Sequence, residues 1–511
     1  MKKIISQNIF YKTIDFSRDY DIIELAGSYF LQNSFAVKGM IIIMEQLKRI
    51  GAVTPKSSLE IKKSRLGIGF EKLDRNVFDP EKAYDKLALV GVKWVRIQSG
   101  WQRTERQKGV YDFEWLDKVV DNLLARGMQP WICLCYGNEL YSEEAKKYFG
   151  AVGIPPIFTE EEKTGWCNYV KAIVRHYHGK ITYWEIWNES DCGGCWKHGV
   201  NAAEYGRFVA DTSTAIRSVT DDAVIIGGAA GNPNNMKYIT EALENGMADA
   251  IDAYSFHGYT ADETSLYEFV PMLKALFSMY NPKIRLIQGE CGSQSRSDGC
   301  GALAGGAWTP LKQAKQCLRH AVADLSTDVI FSSYFSCMDM IEALNGKVGD
   351  LNSYLDFGYF GILGADFDEN GFASGEYSPK MSYYAYQNLC SVFSENFETC
   401  KLPMLRHSEY SSRVLGREYS GTLTTHAFKK PNGSYALAYW NPSDIMTTDF
   451  ESTISFSFAA LPEKMRLIDL MDGGIYELSD KMIEKTGSVV RLKNIPVKDY
   501  PLLLTFGDFA D

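Results

Sequence analysis

Two glutamates in this sequence follow runs of large apolar residues, and such a pair has a specific chemical use. Glu189 ends the stretch YWEIWNE, directly after Asn188, and Glu290 ends the stretch RLIQGE about a hundred residues later. If each run is a buried strand, each carboxylate emerges at a strand end, where it can meet a ligand. Glycosidic bond cleavage needs one acid to protonate the leaving oxygen and one carboxylate to face the oxocarbenium-like transition state. Either glutamate alone is typical of a salt-bridged strand end, so the prediction depends on the pair.

The elements that must position this pair alternate between short apolar runs and amphipathic helical patterns, from about residue 66 to about residue 400. This alternation predicts parallel strands with crossover helices, and eight such units predict a closed (β/α)8 barrel. Glu189 then follows the fourth strand and Glu290 the seventh, nearly opposite each other across the barrel mouth. An open doubly wound sheet is the alternative, but no glycine-rich dinucleotide turn follows the first strand. The predicted strands are RLGIGFE, KWVRIQ, MQPWICLCYGN, ITYWEIWNE, AVIIGGA, IDAYSFHGY, IRLIQGE and DVIFSSYF.

The rest of the chain has a different pattern. After about residue 400 short segments alternate with a period of two, which is typical of antiparallel strands. GTLTTHAFKK and SYALAYWNP predict a hairpin with Asn432-Gly433 at its turn. We therefore expect three parts: 1–64 as an N-terminal extension that pairs with the β-domain or caps the barrel, 65–398 as the catalytic barrel, and 399–511 as an antiparallel β-sandwich.

Composition restricts the class of partner. The 511 residues carry a net charge of −10, which argues against nucleic acid or an anionic membrane, because both attract basic surfaces. The N-terminal stretch MKKIISQNIFYKTIDF lacks the apolar region of a secretory signal. Eleven scattered cysteines favour a reducing cytoplasm over a disulfide framework. Cys192 and Cys195 have CxxC spacing but no second cysteine pair, so we expect free thiols and no metal.

The two glutamate motifs, WEIWNE and a later strand ending in QGE, resemble those of clan A of the glycoside hydrolases. The spacing, the aromatic-rich motif and the C-terminal β-domain most resemble family 39, which includes β-xylosidases and α-L-iduronidases. This resemblance implies a retaining (β/α)8 enzyme in which Glu189 is the general acid and then the base, and Glu290 is the nucleophile. An apolar strand with Trp187 nearby favours the protonated form of Glu189 by desolvation.

The resemblance also suggests neighbours for the pair. Arg96, on the second strand, resembles the clan's strand-two arginine and would keep Glu290 ionised, although a helix-facing arginine is the alternative. Asn188 would bind the sugar 2-hydroxyl. His257 and Tyr259 resemble the clan's histidine–aromatic pair, although a histidine at a strand end is often a packing or capping residue. Candidates for substrate binding from position alone are Asn138, Trp101, Trp196, Trp308, Tyr334 and Asp339, and ordinary loop packing is the alternative for the tryptophans.

Together these features predict a cytoplasmic, exo-acting, retaining glycosidase that cleaves small oligosaccharides or glycosides and needs no metal or organic cofactor. The expected partner is a small carbohydrate, and a homo-oligomer is compatible with the sequence. Two alternatives stay open: a carbohydrate-binding barrel without turnover, and a transglycosylase that uses the same glutamates.

Overall fold

The computed structural model describes residues 47–407, 412–414, 417–419, 423–459 and 464–510. Most of the predicted N-terminal extension, residues 1–46, lies outside the described residues. Among the described residues, no helix has both the length and the apolar character needed to cross a bilayer.

Eight parallel strands form a closed barrel, which confirms the predicted architecture. Neighbouring strands pair in chain order, and the cylinder closes where Leu66 of the first barrel strand pairs with Ser332 of the last. The strands are almost wholly buried, as expected for strands covered by helices outside and filled by side chains inside. The first nine strands, of which β2–β9 form the barrel, are β1 (Leu47–Ala52), β2 (Leu66–Gly69), β3 (Trp94–Gln98), β4 (Gln129–Leu134), β5 (Tyr183–Ile186), β6 (Val224–Ala230), β7 (Ala253–His257), β8 (Arg285–Cys291) and β9 (Val329–Tyr334).

Helices cover the outside of the barrel, and their boundaries follow local capping chemistry. Thr159 and Glu162 form a reciprocal capping box at the start of the fourth helix. The helix that begins at Met236 is regular only to Ala242, where a π-helical turn over Leu243–Met247 follows, with Gly246 at φ 107°. The helices are α1 (Tyr84–Val90), α2 (Trp101–Thr104), α3 (Glu114–Ala125), α4 (Glu160–His176), α5 (Ala202–Arg217), α6 (Met236–Ala242), α7 (Ala248–Ala250), α8 (Leu266–Tyr280), α9 (Pro310–Ser326) and α10 (Met381–Val392).

A long connection after β9 and two antiparallel sheets complete the described chain. Two hairpins, β10–β11 and β12–β13, lie between β9 and α10. The seven-stranded sheet has the order β1-β22-β21-β25-β19-β18-β14, and the four-stranded sheet the order β15-β20-β24-β23. The strands are β10 (Met340–Ile341), β11 (Phe357–Gly358), β12 (Leu363–Phe367), β13 (Ala373–Pro379), β14 (Glu398–Cys400), β15 (Met404–Arg406), β16 (Ser412–Val414), β17 (Arg417–Tyr419), β18 (Thr424–Lys429), β19 (Tyr435–Trp440), β20 (Ser452–Ala459), β21 (Met465–Asp469), β22 (Gly474–Leu478), β23 (Ile483–Thr486), β24 (Val489–Val497) and β25 (Leu502–Phe506).

The two C-terminal sheets pack face to face. Aromatic rings from both sheets touch, with 5.4 Å between the ring centres of Tyr439 and Phe456 and 5.2 Å between those of Phe458 and Phe506. The predicted hairpin is present as β18–β19. Strand β1 pairs antiparallel with β22 at the edge of the larger sheet, so a segment that precedes the barrel in sequence contributes to this C-terminal layer.

Buried ion pairs connect α9 of the barrel to the C-terminal layer. Lys315 donates to Asp499 at 2.9 Å, and neither side chain is exposed to solvent. Arg319 donates to Glu263 at 2.8 Å and to the carbonyl oxygen of Ser443 at 2.8 Å. The second oxygen of Glu263 accepts a bond from the Trp440 indole at 2.8 Å. Each cation therefore has one carboxylate partner, with the remaining donors satisfied by carbonyl oxygens or other polar groups.

Candidate functional site

Glu189 lies three residues beyond the end of β5, at the carboxyl face of the barrel. Its backbone is in the left-handed region, at φ 47°, as is that of Trp187 at φ 69°, a conformation that costs free energy in non-glycine residues and is concentrated at functional sites. The Glu189 amide donates to the carbonyl oxygen of Ala229 at 2.9 Å, which anchors this turn to β6. The Glu189 side chain keeps 18% of its surface exposed, so it can reach both a ligand and water.

Glu290 is the penultimate residue of β8, and its carboxylate is the more deeply buried of the two, at 8% exposure. Tyr259 donates its hydroxyl to Glu290 Oε2 at 2.8 Å, and Arg96 forms an ion pair with Oε1. Burial opposes ionisation of Glu290, but the charges of His257 and Arg96 and the Tyr259 hydroxyl together hold its pKa below the usual value. The surroundings of Glu290 therefore favour its ionised form.

His257 lies between the two glutamates. Its Nδ1 is 2.8 Å from Glu189 Oε1 and 3.6 Å from Glu290 Oε2. Burial lowers the pKa of His257, but the two carboxylates outweigh that effect and raise it above its ordinary value. One oxygen of each glutamate and this nitrogen all lie within 4.8 Å of one another. Because one oxygen of each carboxyl group comes this close, the pair fits the short separation of retaining glycosidases, roughly 5–5.5 Å, better than the roughly 6.5–9.5 Å of inverting ones.

Arg96, from the middle of β3, organises the floor of the site. Its Nη2 donates to Asn188 Oδ1 at 2.8 Å, and its Nε donates to Glu185 Oε2 at 2.7 Å. Its Nη1 pairs with Glu290 and lies 3.0 Å from Glu71 Oε1. The guanidinium is fully buried and stands over the ring of Trp131 inside the barrel. The alternative of a helix-facing arginine is therefore wrong, because alternate residues of β3 point into the barrel.

Four charged residues that line the site escaped the sequence interpretation: Glu71, Lys72, Arg75 and Glu342. Glu71 and Lys72 follow β2, and Glu342 follows β10 in the connection after β9. The Lys72 Nζ donates to Glu342 Oε2 at 3.1 Å and to the carbonyl oxygen of Ile341 at 3.0 Å. The sequence signal that could have found Glu71 is its place near the carboxyl end of the first barrel strand, as Glu189 and Glu290 lie near the carboxyl ends of theirs.

These groups surround one cavity at the barrel mouth, which we call the mouth cavity, with a volume of about 230 Å³. A second cavity of about 450 Å³, the side cavity, shares Arg75 and Tyr136 with it. The residues that line the mouth cavity are Glu71, Lys72, Arg75, Gln98, Tyr136, Asn188, Glu189, Cys192, Gly231, Tyr259, Glu290, Gly301, Ala302, Phe335, Glu342, Leu344 and Phe360.

Several residues predicted to bind substrate lie elsewhere. Trp196 packs against Trp187, and the indole nitrogen of Trp308 donates to a backbone carbonyl, so neither ring faces the mouth cavity. Tyr334 is buried beside Tyr386. Asp339 pairs with Lys380 at 2.6 Å. The two tryptophans lie in loops as expected, but their rings turn into the core, because large aromatic surfaces gain most from burial.

Trp101 and Asn138 lie beside the side cavity. Trp101 is fully buried, and its ring stacks on Tyr141 and Tyr169. The Asn138 amide donates to the carbonyl oxygen of Glu105 at 2.9 Å. Neither residue reaches the mouth cavity. Of the ten residues predicted to bind substrate, the structure therefore groups Asn188, Arg96, His257 and Tyr259 with the two glutamates.

The cysteines near the site are thiols, as are all eleven in the chain. The Cys195 thiol lies 3.8 Å from Glu189 Oε2 and 3.7 Å from the amide nitrogen of Asn188. Among the described residues, two sets of three side chains are close enough to hold a metal ion, and neither includes the CxxC pair. These two sets are Glu189, His257 and Glu290 at the mouth cavity, and the buried group Cys291, His320 and Asp324.

Comparison with known proteins shows which family part of this chain resembles. Residues 82–274 match the family described as glycosyl hydrolases family 39, which confirms the resemblance expected from the sequence. The match includes Glu189 and His257 and ends before Glu290. A β-xylosidase of Geobacillus stearothermophilus is 27% identical over 164 residues, which are 30% of this chain and 32% of that protein. The chain thus spans about a third of the length of this relative.

Solved structures share the fold over nearly the whole chain. A family 39 glycoside hydrolase from the gut symbiont Bacteroides cellulosilyticus WH2 superposes with a TM-score of 0.59 at 17% identity, over 86% of this chain and 80% of that chain. A family 39 β-xylosidase from Caulobacter crescentus gives 0.53 at 16% identity, over 90% and 98%. At these identities the likeness concerns the fold, including the C-terminal sheets.

Proposed function

We propose that this chain is a retaining glycoside hydrolase that works by double displacement, with Glu290 as nucleophile and Glu189 as acid/base. The observation that carries the proposal is that one oxygen of each carboxyl group lies within 4.8 Å of the other, at one cavity and at the ends of the fourth and seventh barrel strands. The match of residues 82–274 to family 39 supports it.

In the first step, Glu290 attacks the anomeric carbon and Glu189 gives its proton to the leaving oxygen. Arg96 and Tyr259 keep Glu290 ionised and aim its free lone pair at the cavity. In the second step, Glu189 takes a proton from water, and that water displaces Glu290 from the sugar. His257, at 2.8 Å, holds the carboxyl group of Glu189 in place for both steps.

The mouth cavity suggests the size of the sugar that is bound. At about 230 Å³ it is smaller than typical sites for drug-sized ligands, which favours a single terminal sugar and hence exo action. Lys72 and Glu342 offer charged partners for sugar hydroxyl groups away from the anomeric carbon. Because the curated relative is a β-xylosidase, we take a β-D-xyloside as the first substrate to test.

The side cavity, which meets the mouth cavity at Arg75 and Tyr136, offers space for the leaving group. We infer a cytoplasmic location, because all eleven cysteines are free thiols, a state that a reducing compartment maintains. A cytoplasmic enzyme of this kind would act on small imported oligosaccharides or glycosides. We infer no metal or organic cofactor, since the two glutamates supply the acid, base and nucleophile that the reaction needs.

The test is release of nitrophenol from a panel of nitrophenyl glycosides: β-D-xyloside, β-D-glucoside, β-D-galactoside, α-L-arabinofuranoside and α-L-iduronide. Wild type and Glu290→Ala are assayed side by side, with melting temperatures to verify folding. Cleavage of one glycoside by wild type alone supports the proposal and identifies the sugar. Full activity in Glu290→Ala contradicts it. Sugar binding without cleavage of any glycoside favours a carbohydrate-binding barrel, and transfer to added sugar in preference to water favours a transglycosylase.

A further inference from the structure

The site holds more carboxyl groups than its cations can balance. Arg96 alone contacts Glu71, Glu185 and Glu290, and all of these side chains are at most 8% exposed. At these low exposures like charges repel more strongly than in bulk water, and an unpaired carboxylate is costly. Three nearly buried carboxyl groups around one guanidinium favour the protonated form in at least one of them.

Glu71 is the carboxyl group whose surroundings fit that role. It lies two residues beyond β2 and faces the same Nη1 atom of Arg96 as Glu290 does. Gly69 makes room for it, because a Cβ at that position would come within 2.9 Å of Glu71 Oε1. Burial raises the pKa of Glu71 to about 7 against the attraction of Arg96, and the charge of Glu290 adds to the rise.

The other groups that face Glu71 come from every neighbouring strand end. Some of these groups are cations and others are anions, so the pKa of Glu71 depends on whether Glu290 is ionised. These groups are Arg96 on β3, His257 on β7, Tyr259 after β7, Glu290 on β8 and Cys337 after β9, with Lys72 beside Glu71 in the chain and Glu342 paired to Lys72.

We propose that Glu71 is a positioning residue that carries a proton in the free enzyme and releases it when Glu290 becomes esterified to the sugar. The proposal rests on the double-displacement function inferred above. It keeps the number of anions around Arg96 constant through the reaction, so the guanidinium does not have to move.

Every proton is accounted for in each of the two steps. In the first step, Glu290 loses its negative charge as its bond to the anomeric carbon forms, the Glu189 proton goes to the leaving oxygen, and the Glu71 proton goes to solvent. In the second step, Glu189 takes one proton from the attacking water, the C–O bond to Glu290 breaks, Glu290 is again a carboxylate, and Glu71 takes a proton back from solvent.

The test counts protons when the intermediate is trapped. A 2,4-dinitrophenyl 2-deoxy-2-fluoroglycoside of the sugar found in the panel loses dinitrophenolate as an anion, so the leaving group takes up no proton. Phenolate absorbance and the colour of an indicator dye are recorded together in weak buffer near pH 6, below the pKa of Glu71 of about 7. The readout is protons released per phenolate at the end point, which stays measurable in slow variants.

Wild type should release up to one proton more per phenolate than Glu71→Gln, because the amide has no proton to give. Glu71→Asp keeps a titratable group and should restore most of that release. Asp356→Asn is the matched control, since burial also raises the pKa of Asp356 but this residue does not line the mouth cavity. Its release should equal that of wild type.

Equal proton release from wild type and Glu71→Gln would overturn the role of Glu71 while the phenolate burst still supports the nucleophile. No burst in wild type, on a sugar that it hydrolyses, would overturn the double displacement and the role of Glu71 with it. Melting temperatures of the variants verify that the proteins compared are folded.

Discussion

Two fully buried arginines, Arg96 in the barrel mouth and Arg319 on α9, differ in the number of carboxyl groups around them. Arg319 has one carboxylate partner, Glu263, and its remaining donors go to backbone carbonyl oxygens. Arg96 has three carboxyl groups in contact and an amide oxygen as well. A balanced pair is what fold stability requires of a buried charge. An excess of carboxyl groups is costly, and its presence at a cavity indicates chemistry.

The largest expected effect comes from removing the carboxylate that faces the substrate. Glu290→Gln should lower kcat by roughly 10⁴-fold or more, because the nucleophile is lost. Its melting temperature should equal or exceed that of wild type, since the change relieves repulsion around Arg96. Steady-state kinetics and thermal melts measure both quantities. A kcat within tenfold of wild type would contradict the assignment.

Replacing each arginine in turn tests whether one acts mainly in stability and the other mainly in catalysis. Arg319→Met should lower the free energy of unfolding by about 3–5 kcal/mol, because Glu263 is left buried without its partner, with kcat per folded molecule nearly unchanged. Arg96→Met should lower kcat by roughly 10²–10³-fold, because Glu290 loses its cation. Chemical denaturation and kinetics on both variants test the comparison, which fails if Arg319→Met loses kcat and Arg96→Met keeps it.

A smaller effect is expected at Asn188, which contacts Arg96 and is proposed to bind the sugar. Its oxygen accepts from Arg96 at 2.8 Å, and its nitrogen donates to Tyr136 at 3.0 Å and weakly to the Cys195 thiol at 3.7 Å. A sugar 2-hydroxyl would replace the thiol as the acceptor of that second N–H. Asn188→Ala should lower kcat/KM by roughly 10–10²-fold on the natural glycoside. On the 2-deoxy glycoside, the loss should be several-fold smaller. Equal losses on both substrates would rule out contact with the 2-hydroxyl.

The smallest expected effect is on the pH dependence of stability. The pKa of Glu71 rises from 4.5 to about 7 on folding, so the folded state binds more protons than the unfolded state between these values. Stability therefore falls as pH rises from about 4.5 through 7, by a few kcal/mol at most. In Glu71→Gln this part of the slope should vanish. Melting temperatures across that range measure it, and identical slopes in the two proteins would contradict the raised pKa.

The sequence pattern was sufficient for the barrel, because eight buried strands alternate with capped helices and parallel strands leave few other arrangements. It was also sufficient for the approach of Glu189 to Glu290, since both follow strand ends on one face. The sequence pattern was not sufficient where the direction of a loop side chain decides whether that residue reaches the site. Trp196 and Trp308 turn into the core, and Lys72 meets Glu342 from a distant segment. These contacts depend on tertiary packing, which no local pattern encodes.

The most direct test of double displacement through Glu290 is to locate the covalent intermediate. Wild type is incubated with the 2-deoxy-2-fluoroglycoside, digested with protease, and the peptide that carries the added sugar mass is sequenced by mass spectrometry. The account predicts one sugar per chain, on Glu290, and no label on Glu290→Gln. A label on Glu71, Glu189 or any other residue, or hydrolysis with inversion at the anomeric carbon, would contradict it.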